Sequence, residues 1–278
     1  MSHRYFENRN QAYFYSKARH VPSSELILQI IAYFREKSQV NENEKWNLAV
    51  DVGAGTGQCT SLLQPYFDDV YGFDISEEQI NQAIGHNNFS NVHYAVSPSE
   101  KLPLEDKSVD LITACQCMHW FDCDLFFKEV QRVLKPNGVL AVIGYTMKNI
   151  QVIQMSNVDT HLDANILCNI YNGELMQKYF EVNRLKHLDD GYIDIDFPFK
   201  DVSRKQIFVD KIVTAEDCVD YVHSWSGFRR CFEHNPFAAS NLLQNLRKEF
   251  ERCFFRNPKL CETQLILRTE CNLILCRK

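Results

Sequence analysis

The run from Asn47 to Leu63, NLAVDVGAGTGQCTSLL, constrains the fold more than any other stretch of the chain. Apolar residues lead to an acid, Asp51, then to three glycines at alternate positions, Gly53, Gly55 and Gly57, then to a helix-like segment. A strand that ends in a glycine turn and feeds a helix is the opening unit of a doubly wound α/β sheet. Glycine permits the positive φ of a tight turn and lets a ligand approach the backbone. In such sheets ligands bind at the carboxyl ends of the strands, where the strand order reverses.

Strand and helix signals alternate after this unit. The pattern predicts strands over 47–53, 69–74 (DVYGFD), 91–96, 110–115 (DLITAC) and 139–145. Helices are predicted over 58–66, 77–86 and 125–134, the second with Ser76 as its N-cap. The third ends before the turn Lys135-Pro136-Asn137-Gly138. Short apolar runs separated by helices argue for parallel strands with crossover helices, so residues 46–145 form a doubly wound core. Upstream, 24–34 reads as an amphipathic helix. Downstream, 153–183 reads as helical, 206–213 (QIFVDKIV) as a strand, and 215–232 and 238–255 as helices. The segments 264–267 and 272–276 suggest a closing antiparallel pair.

Bulk properties narrow the partners. The net charge is −6 and the basic residues are scattered, so nucleic acid is not an expected partner. No apolar run approaches the roughly 18–20 residues of a membrane helix. The opening segment, MSHRYFENRNQAYFYSKARH, carries no apolar signal core, and a cytoplasmic protein is expected. The 11 cysteines include no CxxC pair. They read as small buried hydrophobes, and no metal site is expected.

The loop reads G-x-G-x-G. A dinucleotide fingerprint would place its last glycine at position 58, which is Gln58. No Lys-Ser/Thr follows, so a phosphate-binding P-loop is excluded. Asp74 closes the next strand, and a carboxylate there can accept both ribose hydroxyl protons of an adenosine. Asp74 alone does not separate NAD from S-adenosylmethionine. Together, the loop and Asp74 point to a nucleoside cofactor.

At this point the chain resembles the class I S-adenosylmethionine-dependent methyltransferases. VDVGAGTG is similar to their first motif and VYGFDIS to their second-strand acidic motif. SEKLPLEDKSVDLITACQCMHWFD and EVQRVLKPNGVLAVIGY resemble the regions that follow. A narrower likeness, in YSKARHVPSSEL, MHWFD and CVDYVHSWSGFRR, is to the trans-aconitate methyltransferase-like subgroup. Juvenile hormone acid methyltransferases share the His-Trp step. The resemblance implies carboxyl O-methylation of a small organic acid. It implies that Gly53, Gly55 and Gly57 cradle the methionine part of the cofactor and that Asp51 orients the loop or the ligand amino group. Asp74 would bind the ribose, Ile75 would pack on adenine, and Ser99 and Glu100 would lie beside it. Relatives carry Asp near position 98, where this chain has Pro98, so a backbone contact or Glu100 must substitute. Gln116 would lie near the sulfonium.

Methyl transfer to an ionised carboxylate needs alignment and desolvation more than acid–base help. His119 and Trp120 follow the fourth strand; Trp120 could pack on the substrate or the sulfonium, and His119 could hydrogen-bond the acceptor. The alternative is that both serve the fold. A guanidinium fork suits a carboxylate, and Arg19 and Arg229 are candidates. Trp225 lies four residues before Arg229, on one helical face if the helix is continuous. Tyr15 precedes Arg19 in an aromatic segment that could form a lid. The competing functions are a nicotinamide-dependent oxidoreductase and a catalytically inactive binding protein of the same fold.

The expected fold is therefore α/β: a Rossmann-like, doubly wound, mostly parallel sheet of about seven strands with an antiparallel C-terminal strand. A helical N-terminal lid (1–45), a cofactor-binding core (46–147) and a substrate-side helical insertion with closing strands (148–278) make one domain, monomeric or homodimeric.

Overall fold

The computed structural model describes residues 22–37, 44–154, 164–253 and 264–278. Helix α1 (Ser24–Arg35) starts where the Ser23 hydroxyl accepts the backbone N–H of Leu26. Its apolar residues recur three and four apart, so Leu26, Ile27, Ile30, Ile31 and Phe34 are buried together. Each such side chain contributes about 1.5–3 kcal/mol on burial, which seats the helix on the sheet.

The sheet core follows in chain order. Strand β1 (Trp46–Val52) leads into α2 (Gln58–Leu63), and β2 (Phe67–Asp74) into α3 (Glu77–His86). Ser76 caps α3 by accepting the N–H of Gln79. Next come β3 (Val92–Val96), β4 (Val109–Cys115), α4 (Cys123–Val133) and β5 (Leu134–Tyr145). Strands β1 to β5 are mutually parallel, in the order β3-β2-β1-β4-β5. Beyond β5 lie β6 (Gln151–Gln154), α5 (Ile166–Asn172), α6 (Glu174–Gln177), α7 (Val182–Asp189) and β7 (Asp201–Thr214). Helices α8 (Ala215–His223), α9 (Ser226–His234) and α10 (Pro236–Cys253) precede the last strand, β8 (Gln264–Arg277).

Strand β8 runs against its neighbours on both sides. It pairs with β7 along its whole length on one side. On the other it meets β5 over Cys271–Arg277 and β6 over Leu265–Arg268. Strands β5 and β6 therefore share one row, and eight described strands occupy the expected seven rows. Side chains of β5 alternate between two cores. Leu140 and Val142 join the core that holds α4 and the helical insertion; Val139, Ala141, Ile143 and Tyr145 join the core that holds α1.

Three expectations are corrected. Segments 264–267 and 272–276 are one continuous strand, not a pair. The polar residues between them find partners across the sheet: Arg268 binds Asp210 through two hydrogen bonds, of 2.8 and 2.7 Å, and Glu270 accepts from Gln206. The helix expected over 215–232 breaks at Trp225, which is the N-cap of α9. The described residues of the segment 153–183 comprise the end of β6, helices α5 and α6, the start of α7 and the turns that link these helices. Additionally, β5 begins at Leu134, with Asn137 in the left-handed region and a register shift against β4 between Val109 and Leu111.

Candidate functional site

The carboxyl ends of β1, β2 and β4 converge beside the glycine loop. Gly55 and Gly57 have φ of 58° and 86°, the left-handed region that L side chains rarely adopt. Their surroundings differ. A Cβ on Gly57 would lie 2.2 Å from the Tyr94 hydroxyl, so that glycine is needed for packing. A Cβ on Gly55 would meet nothing nearer than Gln79 Oε1 at 3.8 Å, so its backbone faces open space. Gly53 is packed under Cys117, 2.7 Å from a hypothetical Cβ.

Two carboxylates hold this loop region together. Asp74 accepts the N–H of Gly55 and the N–H of Ser76, both at 2.9 Å. Burial raises its pKa, against the pull of those backbone donors. Asp51 is buried and accepts from the Thr60 and Thr113 hydroxyls, each at 2.7 Å. Burial pushes its carboxyl up to about 6, although the hydroxyls partly offset this. Asp51 thus ties β1 to α2 and to β4.

At the end of β4, Gln116 adopts a φ of 56°. Its side chain donates to the Tyr145 carbonyl at 3.0 Å and accepts the Tyr145 N–H at 2.8 Å. The space over the loop, open toward solvent, is walled by Asp51, Gly53, Gly55, Gln58, Gln116 and Tyr145. Pro22, Ala54, Cys59 and Cys115 complete it. Beside the loop, Thr56 Oγ1 and Gln79 Oε1 are buried with no hydrogen-bond partner among the described residues. The open backbone at Gly55 and these unmet polar atoms fit a ligand carrying its own donors and acceptors, as S-adenosylmethionine does.

The adenine-side candidates flank Asp74. Ile75 is an exposed apolar residue and Ser99 is buried. The N–H of Ser97 donates to the Asp74 carbonyl at 3.0 Å, which sets the loop that carries Pro98 and Ser99 against the end of β2. Glu100 accepts the N–H of Asp122, the N-cap of α4.

The acceptor-side candidates lie elsewhere. His119 is buried, with Nδ1 3.2 Å from the Tyr192 hydroxyl. The Arg184 guanidinium lies over the Trp120 ring, 5.7 Å from its centroid, and donates to the Trp120 carbonyl. Neither residue walls the space over the loop. Trp225 is fully buried against Tyr171, Phe180 and Tyr221. Arg229 binds Glu233 at 2.9 Å. The break at Trp225 separates the two roles: the ring packs inside the helical insertion, while the guanidinium meets an acid on the next turn of α9. Tyr15 and Arg19 lie outside the described residues.

Sequence reasoning missed Pro22, Gln58, Cys59, Cys115 and Tyr145 as walls of the space, and Thr60 and Thr113 as partners of Asp51. Cys115 and Tyr145 end strands β4 and β5, so the strand-end rule could have found them. Nothing local marks Thr113, which lies far from Asp51 in sequence.

A parallel β3-β2-β1-β4-β5 core, a glycine loop open to a ligand and an acid at the end of the next strand define a nucleoside-cofactor α/β protein of the methyltransferase type. The methyltransferase domain family matches residues 50–142. A provisionally named methyltransferase of Dictyostelium discoideum is 36% identical over 186 residues, 67% of this chain and 66% of that protein. The chain thus spans just under two thirds of that relative's length. A probable S-adenosylmethionine-dependent methyltransferase of Saccharomyces cerevisiae is 25% identical over 232 residues, covering 72% of this chain and 77% of that one. A solved structure of a provisionally named type II methyltransferase from Anaeromyxobacter dehalogenans is 25% identical, with a TM-score of 0.73 over 93% of this chain and 97% of that one. Residues 50–142 thus carry a methyltransferase domain, and the chain is similar over most of its length to S-adenosylmethionine-dependent methyltransferases, whose methyl donor is S-adenosylmethionine.

Proposed function

We propose that this chain transfers a methyl group from S-adenosylmethionine to a carboxylate oxygen of a small organic acid. The observation that carries the choice of acceptor is the poverty of bases around the space over the loop. Among its described walls, the titratable side chains are Asp51, Cys59, Cys115 and Tyr145. Both oxygens of Asp51 are engaged by threonine hydroxyls. The Cys59 thiol is held well above its ordinary pKa by its bond to Cys115 and by burial. Cys115 is lowered by its bond from Cys59 but raised on balance by burial. Asp51 is raised toward neutrality, but both its oxygens are engaged, so among the described walls it is not a free base for an amine or phenol proton. A carboxylate arrives already ionised and needs none.

Bound in the space, S-adenosylmethionine supplies a methyl group already activated on a sulfonium. The chain's own residues bind, orient and exclude water. Gly53, Gly55 and Gly57 bring backbone close to the methionine part, and Asp51 braces that loop through Thr60 and Thr113. Asp74, already holding Gly55, accepts from the ribose hydroxyls. Ile75, Ser99 and Glu100 border the adenine, with Pro98 near the place where relatives carry Asp. Gln116 closes the methyl-donor side and locks Tyr145 at the end of β5. We assign residues 46–147 to the cofactor and the flanking segments to the acceptor. Within the core, His119 and Trp120 meet Tyr192 and Arg184 of the helical insertion and act through these contacts as positioning residues on the acceptor side. Trp225 and Arg229 are assigned to the stability of the helical insertion.

Turnover to S-adenosylhomocysteine with acids, amines and phenols tests this reading. Acids are expected to be methylated at a rate that stays flat as pH falls from alkaline to neutral. Methylation of amines or phenols alone, with a rate that drops as they protonate, sinks it.

A further inference from the structure

Tyr192 is held in a strained backbone conformation. It follows α7 with a φ of 56°, beside Gly191 at 65°. An aromatic residue in the left-handed region is uncommon, and such strain persists only where the surroundings over-determine it. Here they do. The Arg204 guanidinium of β7 donates to the Tyr192 and Gly191 carbonyls, at 3.1 and 3.3 Å. The Tyr192 N–H donates to the His187 carbonyl at 2.6 Å. The ring is fully buried and fills the place a side chain would take at Gly144, where a Cβ would lie 2.7 Å from Tyr192 Cε2. So held, Tyr192 brings one hydroxyl to 3.2 Å from Nδ1 of His119, beyond the end of β4.

The direction of that hydrogen bond follows from what surrounds the hydroxyl. Burial holds it well above its ordinary pKa, so it keeps its proton. The backbone N–H of His119 also donates to the phenol oxygen. Among the described residues, Nδ1 is the acceptor within reach of the hydroxyl proton. If Nδ1 carried a hydrogen instead, the buried O–H would be left without a partner and would bear its full desolvation penalty. Nδ1 therefore accepts, which leaves the proton of the neutral ring on Nε2. We propose that Tyr192 is a positioning residue for methyl transfer: its hydroxyl fixes His119 as the Nε2–H tautomer, an imidazole that donates a hydrogen bond on the acceptor side and offers no base. The basic lone pair of the neutral ring is engaged by Tyr192, so His119 does not take a proton from an amine or phenol. An acceptor that meets it must present a lone pair, as a carboxylate oxygen does. The choice of acceptor rests on the carboxylate reading, the tautomer on the geometry alone.

Nitrogen NMR of histidine-labelled protein, saturated with S-adenosylhomocysteine at neutral pH, tests the assignment. The His119 signals are identified by their loss in His119→Gln. The wild type is expected to show Nε2 protonated and Nδ1 as an unprotonated, hydrogen-bonded nitrogen. A proton on Nδ1, or on both nitrogens, overturns the proposal, and this readout needs no variant of Tyr192. Tyr192→Phe keeps the ring against Gly144 and removes the hydroxyl. The His119 Nδ1 signal is then expected to move to that of a nitrogen with no donor facing it. A panel of monocarboxylates, acetate to octanoate with benzoate, supplies the kinetic readout. For the acid methylated fastest, KM is expected to rise about threefold to tenfold in Tyr192→Phe, with kcat little changed. A purely structural role would lower the denaturation midpoint and leave the Nδ1 signal and KM where they were, and that result also overturns the proposal. The two readings fail separately. If no acid is methylated but the wild-type ring carries its proton on Nε2, the carboxylate reading fails and the Tyr192 assignment stands. If acids are methylated while Nδ1 carries the proton, the Tyr192 assignment fails and the carboxylate reading stands.

Discussion

The Asp74 carboxylate accepts the backbone N–H of Gly55 at 2.9 Å. The acid at the end of β2 therefore holds the loop at the end of β1, and one side chain couples loop shape to ribose binding. Hydrogen bonds to charged groups are worth about 1.5–3 kcal/mol. Asp74→Ala is expected to weaken S-adenosylmethionine binding about tenfold to a hundredfold by calorimetry, with Asp74→Asn between. An unchanged affinity rejects the ribose role.

Glycine substitutions in the loop should separate binding from stability. Gly55→Ala places its Cβ in open space, so the cost to the fold is the left-handed backbone alone, about 1–2 kcal/mol. Its loss in cofactor affinity should exceed its loss in stability. Gly57→Ala drives a methyl into Tyr94 and should lower the denaturation midpoint much further. Tyr94→Phe should relieve that only in part, because the ring carbons also lie within 3.0 Å of the added Cβ. Equal stabilities for the two alanine variants would contradict this packing.

Asp51 should mark the pH dependence of stability. Its folded pKa, raised to about 6, lies above the ordinary carboxylate value, so the folded chain holds this proton more tightly than the unfolded chain. The protonated group favours the fold at low pH, and that contribution is lost as pH rises from about 4 to 6. The loss is on the order of 3 kcal/mol at most. Carboxylates with lowered values, such as Glu129, Asp194 and Asp210, act in the opposite sense over lower pH. The difference between wild type and Asp51→Asn isolates the effect: the variant should gain relative stability in urea as pH rises through that window. A constant difference contradicts the raised value.

Trp225 and Arg229 should respond very differently despite their spacing. Trp225→Ala removes a fully buried ring and should cost about 3–5 kcal/mol of unfolding free energy. Arg229→Ala breaks one ion pair at the surface of α9 and should change stability by less than about 1 kcal/mol. A large loss of acceptor affinity in a stable Arg229→Ala protein would restore its role at the site.

Local signals carried much of this architecture. The serine cap at Ser76, the apolar period of α1 and the short strands ending at Asp74 and Cys115 were readable because each depends on neighbours within a few residues. Strand β8 was not. Its polar centre, Arg268-Thr269-Glu270, looks like a break until Asp210 and Gln206 on β7 meet it. The pairing of Trp225 with Arg229 misled for a related reason. Their spacing assumes a continuous helix, whereas the chain turns at Trp225, whose ring is drawn in by Tyr171 of α5 and by Phe180 in the bend between α6 and α7.

The sequence by itself determined the glycine loop, the acid that follows it and the methyltransferase class, since these lie within one strand–turn–helix unit and its successor. Only the tertiary structure decided what the loop is braced by and what the site can admit. Thr60 and Thr113 reach Asp51, and Gln116 captures Tyr145, because elements far apart in the chain are packed side by side. Such contacts follow from sheet order and register, which no local pattern encodes.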